Sequence, residues 1–221
     1  MQKIKIQTIE DLNHNVRRIV TDKPGGYDFQ PGQATEVAIN KEGMEEEKRP
    51  FTFTSLPGDN HLEFTIKIYP SHEGVTDAID DLKEGDELLI DEPWGAITFK
   101  GKGTFIAGGA GLTPMLAILR DQARQQNDAV RLLIFSNQKE KDLFLKEELE
   151  EITNHNLLLT FTKELVEGAE NDRVDKEFLE EHIDSFDQFF YVCGPPKMVE
   201  SITNNLQELG ANPDKIVSEE S

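Results

Sequence analysis

The first hundred residues alternate apolar and polar positions in short runs; the remainder follow a different rhythm. Lys3-Ile-Lys-Ile-Gln-Thr-Ile steps between polar and apolar with a period of two, as a half-buried strand does. Val16–Thr21, Ala34–Asn40, Phe51–Ser55, Leu62–Tyr69 and Glu87–Ile90 predict further strands, and Val75–Leu82 predicts one short helical stretch. Gly25-Gly26 and Pro31-Gly32 supply turns between them, and Gly43 to Lys48 is an acidic loop. About six short strands joined by turns predict a small antiparallel barrel.

Beyond Gly101-Lys-Gly, which reads as a hinge, apolar runs lose their alternation. Thr104–Ala107, Val130–Phe135, Leu157–Thr162 and Phe189–Cys193 suit strands buried on both faces. Helical patterns follow them from Pro114, near Lys141–Ile152, near Lys176–Ile183 and near Lys197–Leu209, and Ile216 opens a last strand. Such a series implies a parallel sheet with right-handed crossovers and helices on both faces. The predicted fold class is α/β plus β: a six-stranded antiparallel barrel over residues 1–100, then a Rossmann-like parallel-sheet domain over 101–221.

Composition narrows the chemistry. The net charge of −20, carried by both halves, argues against nucleic-acid binding and against docking on an anionic membrane. No apolar run reaches the roughly 18 residues of a membrane span, and the N-terminus lacks a signal-peptide pattern. Cys193 is the one cysteine, which excludes an internal disulfide, a cysteine-ligated iron–sulfur cluster and a Cys-type zinc site on this chain; no metal is expected, and a reducing cytoplasm is the natural setting.

Four stretches carry candidate chemistry. In Gly103-Thr-Phe-Ile-Ala-Gly-Gly-Ala-Gly-Leu-Thr-Pro, a buried strand runs into Gly108, Gly109 and Gly111, and Pro114 then starts a helix. Free N–H groups and the helix dipole there favour an anion, although by itself the stretch is equally a ligand-free turn. Arg49-Pro-Phe-Thr places a guanidinium and an aromatic ring on one strand face and a hydroxyl on the other. Glu73-Gly-Val-Thr reads either as a phosphate loop or as a plain threonine N-cap. Tyr191-Val-Cys-Gly-Pro-Pro ends a buried strand one βα series downstream of the glycine turn.

Taken in order, these stretches resemble the ferredoxin–NADP reductase-like family of flavin oxidoreductases, including its NADH-cytochrome reductase branch. Arg49-Pro50-Phe51-Thr52 is similar to the family's Arg-x-Tyr-Ser/Thr flavin motif, and Phe29-x-Pro31-Gly32-Gln33 to its Pro-Gly-Gln turn. Gly74-Val75-Thr76 resembles its diphosphate loop, Pro93-Trp94-Gly95 its barrel-closing bend, and Cys193-Gly194-Pro195-Pro196 its Cys-Gly-Pro-Pro motif.

The resemblance implies FAD, in preference to FMN, in the barrel and a pyridine nucleotide in the second domain. It implies that Arg49 pairs with the flavin diphosphate, that Phe51 stacks on the ring system without the usual tyrosine hydroxyl, and that Thr52 bonds the hydride-accepting nitrogen. Pro50 belongs to the same motif, backbone at Ile66, Lys67, Ile68 and Tyr69 lines the cofactor, and Gly74, Val75 and Thr76 hold its diphosphate. Gly109, Ala110, Gly111 and Pro114 cradle the nucleotide, Thr113 contacts the flavin edge or the nicotinamide amide, and Cys193, Gly194 and Pro195 lie beside the nicotinamide. Glu219 matches an acidic residue that approaches the flavin in many relatives. Gln138 stands where an NADP-selective site sets an arginine, so NADH is favoured over NADPH, with Lys139 and Lys141 left as point charges.

The implied function is transfer of electrons from NAD(P)H through FAD to a separate one-electron carrier: flavodoxin, ferredoxin or a cytochrome. The alternatives are reduction of a diffusible acceptor (free flavin, an iron chelate, a quinone) and a non-enzymatic nucleotide-binding or electron-transfer subunit. Lys3, Lys5, Arg17, Arg18 and Lys23 either form a basic patch for an acidic carrier or scatter over two strands.

Overall fold

The computed structural model of the chain describes residues 1–68, 78–95 and 97–218. Its first sheet holds β1 (Gln2–Asp11), β2 (Val16–Asp22), β3 (Ala34–Ile39), β4 (Arg49–Thr52), β5 (His61–Lys67) and β6 (Glu87–Ile90). These pair antiparallel in the order β4-β3-β6-β1-β2-β5. Alternation does what it predicts: Ile4 and Ile6 are buried while Lys3 and Lys5 face out. The two edges, β4 and β5, meet through the Phe53↔Phe64 bridge and the Thr54 N–H to Glu63 carbonyl bond, nearly closing the barrel. Phe53 sits at its centre, stacked on Phe29 at 4.3 Å.

Strand β4 begins at Arg49 and includes Pro50, so the expected start at Phe51 is too late. Pro50 pairs with Glu36 on an edge strand, the place in a sheet where a missing N–H is tolerated. Of the predicted Val75–Leu82 helical stretch, the described part is a 3₁₀ turn, Ile79–Asp81; Val75 to Asp77 lie outside the described residues.

The second sheet follows the predicted series. It runs β7 (Gly103–Gly108), α1 (Thr113–Arg124), β8 (Val130–Asn137), α2 (Lys146–Ile152), β9 (Leu157–Phe161), α3 (Lys176–His182), β10 (Phe189–Cys193), α4 (Pro196–Glu208) and β11 (Ile216–Ser218). The strands are parallel in the order β11-β10-β7-β8-β9. The chain winds outward from β7 through β9 and then crosses to β10, so the order reverses between β7 and β10. Ligands of such sheets sit in the crevice outside the carboxyl ends at that reversal. The single helix predicted near Lys141–Ile152 is broken into a 3₁₀ turn, Glu140–Asp142, and α2, with Leu145 left-handed (φ 58°) between them. Leaving the helix lets Phe144 bury edge-on against Phe135 at 5.4 Å.

The barrel and the parallel sheet share a packed seam. Val16 of β2 belongs to the core formed by α1 and the sheet. A Cβ on Gly32 would lie 1.9 Å from the Ile97 carbonyl oxygen and 3.0 Å from Ile118 Cδ1, so the Pro-Gly-Gln turn serves close approach between the two halves. The Gly101-Lys-Gly stretch, expected to hinge, is stitched to β10. The Tyr191 hydroxyl accepts from the Lys100 and Gly101 N–H groups at 2.8 and 3.0 Å and donates to the Gly101 carbonyl at 2.8 Å.

Candidate functional site

On the nucleotide side the site is made of backbone. Gly108 ends β7, Gly109 takes a positive φ of 53°, and Thr113 begins α1 with Pro114 in its first turn. A Cβ on Gly111 would lie 2.3 Å from the Cys193 carbonyl oxygen and 2.6 Å from the Gly194 nitrogen. One on Gly108 would lie 2.4 Å from Met198 Sδ, and one on Gly194 would lie 3.1 Å from Gly108 Cα. The glycine turn after β7 and the Cys-Gly-Pro turn after β10 therefore pack backbone to backbone across the reversal point. Thr113 Oγ1 donates to the Ala110 carbonyl at 3.0 Å and fixes the turn. Cys193 is buried, Gly194 is half-buried and Pro195 is exposed.

On the barrel side the site is a gap between strand edges. Beyond the Phe53↔Phe64 bridge, no further β4–β5 ladder pairing is formed among the described residues, so Phe51 and Thr52 face β5 at Thr65 and Ile66 across a gap between the two strand edges. Ile66 and Ile68 send their side chains into the barrel core, and the Ile68 N–H is committed to the Asn15 carbonyl at 2.7 Å. Strand alternation then turns the Lys67 backbone toward the gap. The Lys67 side chain crosses the seam, its Nζ 3.7 Å from where a Cβ on Gly109 would sit. Arg49 and Pro50 are exposed, with the Arg49 guanidinium donating to the Lys48 carbonyl at 2.7 Å. Phe51 is half-buried against the barrel core and Thr52 half-buried. Tyr69, Gly74, Val75, Thr76 and Glu219 lie outside the described residues.

Two features escape sequence reasoning. Asn137, at the carboxyl end of β8, is 5% exposed, and neither polar atom of its amide finds a partner among the described residues. It continues the register in which Gly108 pairs with Ser136, which sets it level with Gly109. A buried amide without hydrogen bonds is costly and calls for a ligand or water to complete it. Nothing in the string Phe-Ser-Asn-Gln separates this asparagine from an ordinary strand-end residue. The second feature is the end of β9. Lys163 Nζ donates to Gln138 Oε1 at 3.0 Å, and Glu164 accepts the Glu140 N–H at 2.8 Å, so the surface beyond β8 is built from two strand ends rather than one.

A cavity of 360 Å³ opens elsewhere, lined by Thr54, Glu63, Arg120, Arg124 and Glu148 among others. It lies at the C-terminal end of α1, whereas the glycine turn lies at the N-terminal end, so it is not where the motifs converge. Three features of the motif region suit a flavin and a pyridine nucleotide. Among the described residues the β4 and β5 edges part beyond Phe53, only the Lys67 ammonium lies within 4 Å of a Cβ built on Gly109, and Asn137 holds a donor and an acceptor without partners. The described residues contain no cluster of metal-ligating side chains.

Comparison with known proteins agrees with this geometry. Residues 3–99 match the oxidoreductase FAD-binding domain and residues 105–204 the oxidoreductase NAD-binding domain. The chain is 31% identical over 204 residues to NADH-cytochrome b5 reductase 1 of Bos taurus, covering 75% of this chain and 67% of the relative. It is 28% identical to the reductase component of propane 2-monooxygenase from Rhodococcus jostii, covering 97% of this chain and 62% of that protein. The chain thus spans about three fifths to two thirds of the length of such relatives. In fold it superposes on the FAD/NAD-binding domain of nitric oxide dioxygenase from Vibrio cholerae with a TM-score of 0.87 at 20% identity, covering 99% of this chain and 97% of the other. The ferredoxin NADP⁺ reductase of Neisseria gonorrhoeae gives 0.85, also at 20% identity, with the same coverage. A nearly closed antiparallel barrel, a parallel sheet with its glycine turn at the reversal point, and both family domains in order place the chain in the ferredoxin–NADP reductase-like family of flavin oxidoreductases.

Proposed function

We propose that the chain is an FAD-dependent NAD(P)H oxidoreductase that passes electrons to a separate one-electron carrier. The observation that carries this reading is the convergence of its two motif regions: Lys67, on the open edge of the barrel, reaches the Gly109 turn of the parallel sheet. A flavin in the gap and a nicotinamide on the turn would then meet, and when bound the flavin accepts hydride and releases its electrons singly. Arg49 grips the flavin diphosphate as a charged fork, exchanging its bond to the Lys48 carbonyl for a charge-assisted one. Phe51 offers its ring for stacking, and Thr52 and the Lys67 backbone line the gap. Gly109, Ala110 and Gly111 present N–H groups to the nucleotide diphosphate at the start of α1. Thr113, Cys193, Gly194 and Pro195 shape the nicotinamide side of the crevice, where holding two rings in near-attack geometry is the protein's main contribution.

NADH is the favoured donor. A nucleotide ribose bound over the ends of β8 and β9 would meet the Glu164 carboxylate, which suits a hydroxyl and repels a 2′-phosphate, while Lys163 is occupied by Gln138. The carrier is proposed to be basic or neutral rather than acidic. Lys3, Arg17 and Arg18, the core of the suspected basic patch, are all held in ion pairs with carboxylates of the barrel, at 3.0 Å for Lys3–Glu87, 2.8 Å for Arg17–Asp11 and 2.9 Å for Arg18–Glu10. With a net charge of −20, the surface favours a cytochrome-like partner over a ferredoxin. A cytoplasmic setting fits a chain whose only cysteine is buried, and no described helix is long and apolar enough to cross a membrane.

The test is a visible spectrum of the purified protein reconstituted with FAD, recorded anaerobically before and after NADH and, separately, NADPH. Bleaching by NADH, followed by recovery as a basic cytochrome is reduced, is the expected course. Protein that stays colourless with FAD, or coloured but inert to both nucleotides, would refute the reading.

A further inference from the structure

Four charged side chains close a ring across the seam. Arg120 of α1 donates through Nη1 to Glu63 Oε1 of β5 at 2.6 Å and through Nε and Nη2 to both oxygens of Glu148 of α2, at 2.5 and 3.1 Å. Arg18 of β2 completes the circuit, 3.4 Å from Glu148 Oε2 and 3.5 Å from Glu63 Oε2. Its Nε makes that second contact as an ion pair without hydrogen-bond geometry. Charges thus alternate around the ring, and each half of the molecule contributes one of each sign. The Arg120 and Glu63 side chains are only 14% and 11% exposed.

The ring is tied to the site from both sides. Arg120 Nη1 also donates to the Thr54 carbonyl at 2.6 Å, and Thr54 Oγ1 donates to Glu63 Oε1 at 2.7 Å. Thr54 lies two residues beyond Thr52 on the flavin-side strand. Arg120 lies seven residues, or about 10 Å at 1.5 Å per residue, along the helix whose first residue is Thr113. One guanidinium therefore holds the end of the flavin-side strand and the body of the nucleotide-side helix at a fixed separation. A lysine could carry the charge but not the fork that serves three partners at once. Burial alone would disfavour charge on either member; Glu148 and Glu63 together keep Arg120 ionised, and Arg120 does the same for Glu63.

We propose that Arg120 is a positioning residue for hydride transfer, acting through Thr54, Glu63 and Glu148 to set the separation of the flavin and nicotinamide sites without touching either ligand. This rests on the function proposed above, and its test separates the two. Spin labels are placed on Thr8→Cys and Glu180→Cys, exposed positions in the two halves, and the distance distribution is measured in flavin-free protein. Arg120→Lys is expected to broaden a narrow distribution. In the FAD-loaded, unlabelled protein the same substitution is expected to slow anaerobic flavin reduction by NADH at least tenfold, with FAD occupancy kept and NADH affinity changed less than twofold.

An unchanged distance distribution together with a reduction rate within twofold of the parent would overturn the proposal, as would a rate loss matched by lost FAD. Should Arg120→Lys fail to fold, Glu148→Gln, at the more exposed corner, carries the same two measurements with the same outcomes expected and excluded. A parent protein that binds no FAD would count against the function alone and leave the distance measurement decisive for the ring.

Discussion

The two halves of this molecule build their parts of the site from different materials. The parallel sheet uses backbone in a place so crowded that a single Cβ collides with a neighbouring strand end, as at Gly111. The barrel offers an exposed arginine, a half-buried ring and a gap between two strand edges. A site defined by close backbone approach tolerates one residue type and so announces itself. A site defined by a gap and by reach depends on side chains that only a motif resemblance, as at Arg49-Pro-Phe-Thr, singles out before the sheet is assembled.

The largest effect should come from violating the crowded half. Gly111→Ala sets a methyl group 2.3 Å from the Cys193 carbonyl oxygen and 2.6 Å from the Gly194 nitrogen, against backbone with no flexible side chain to move. We expect a loss of about 3 kcal/mol in stability, as overpacking a tight core costs, together with loss of NADH bleaching. Gly25→Ala is the control: a Cβ there meets nothing within 4 Å, and the change should stay within about 0.5 kcal/mol of neutral in thermal unfolding. Equal losses at the two glycines would dissolve the contrast.

Next in size is Arg49→Ala on the barrel side. The guanidinium is exposed and bonds only the neighbouring Lys48 carbonyl in the described structure, so folding should be untouched. FAD affinity should fall by about 2 kcal/mol, or about 30-fold, the worth of a charge-assisted contact. A fluorescence titration with FAD measures this, and unchanged affinity would remove Arg49 from the site.

The same contrast explains what could be read in advance. Period-two alternation gave away Ile4 and Ile6, and the unbroken apolar runs gave away β7 to β10, because burial on one face or two leaves a direct trace in side-chain polarity. The glycine and Cys-Gly-Pro turns were legible for the crowding reason above. Pro50 inside β4 was not, since a proline reads as a strand boundary until the pairing shows it opposite Glu36. The Glu140–Ile152 break was missed because helical spacing continues through it, while burial of Phe144 on Phe135 overrides local preference. Asn137 and the ring around Arg120 depend on residues far apart in the chain, and no local pattern encodes them.

Asn137→Leu sharpens the comparison by giving the sheet half a side-chain contact to lose. Removing a buried amide without partners should leave stability equal or slightly higher. NADH binding should weaken by about 1 kcal/mol, roughly fivefold, if the amide completes its hydrogen bonds on the nucleotide. Isothermal titration against NADH, with ADP-ribose as a second probe, reads this directly. Weakened stability with unchanged NADH binding would show that the amide serves a bound water instead.

The smallest effect belongs to Glu63, which joins the two halves. Burial works against its ionised form, but Arg120, then Thr54 and Arg18, outweigh that and hold its carboxyl below the ordinary value of 4.5. A folded-state value below the unfolded one means that, under 4.5, the unfolded chain binds the proton more readily. The ion pair's contribution is thus complete above that pH and is lost as the pH falls through the depressed folded value. Glu63→Gln removes this titration while Glu148 keeps Arg120 paired. The variant should start less stable at neutral pH and lose less on acidification, so the gap in melting temperature between parent and variant narrows below pH 4.5. A gap that stays constant down the acid limb would mean that Glu63 is not charged in the folded seam, and the ring would then hold the two halves only through Arg120–Thr54 and Arg18–Glu148.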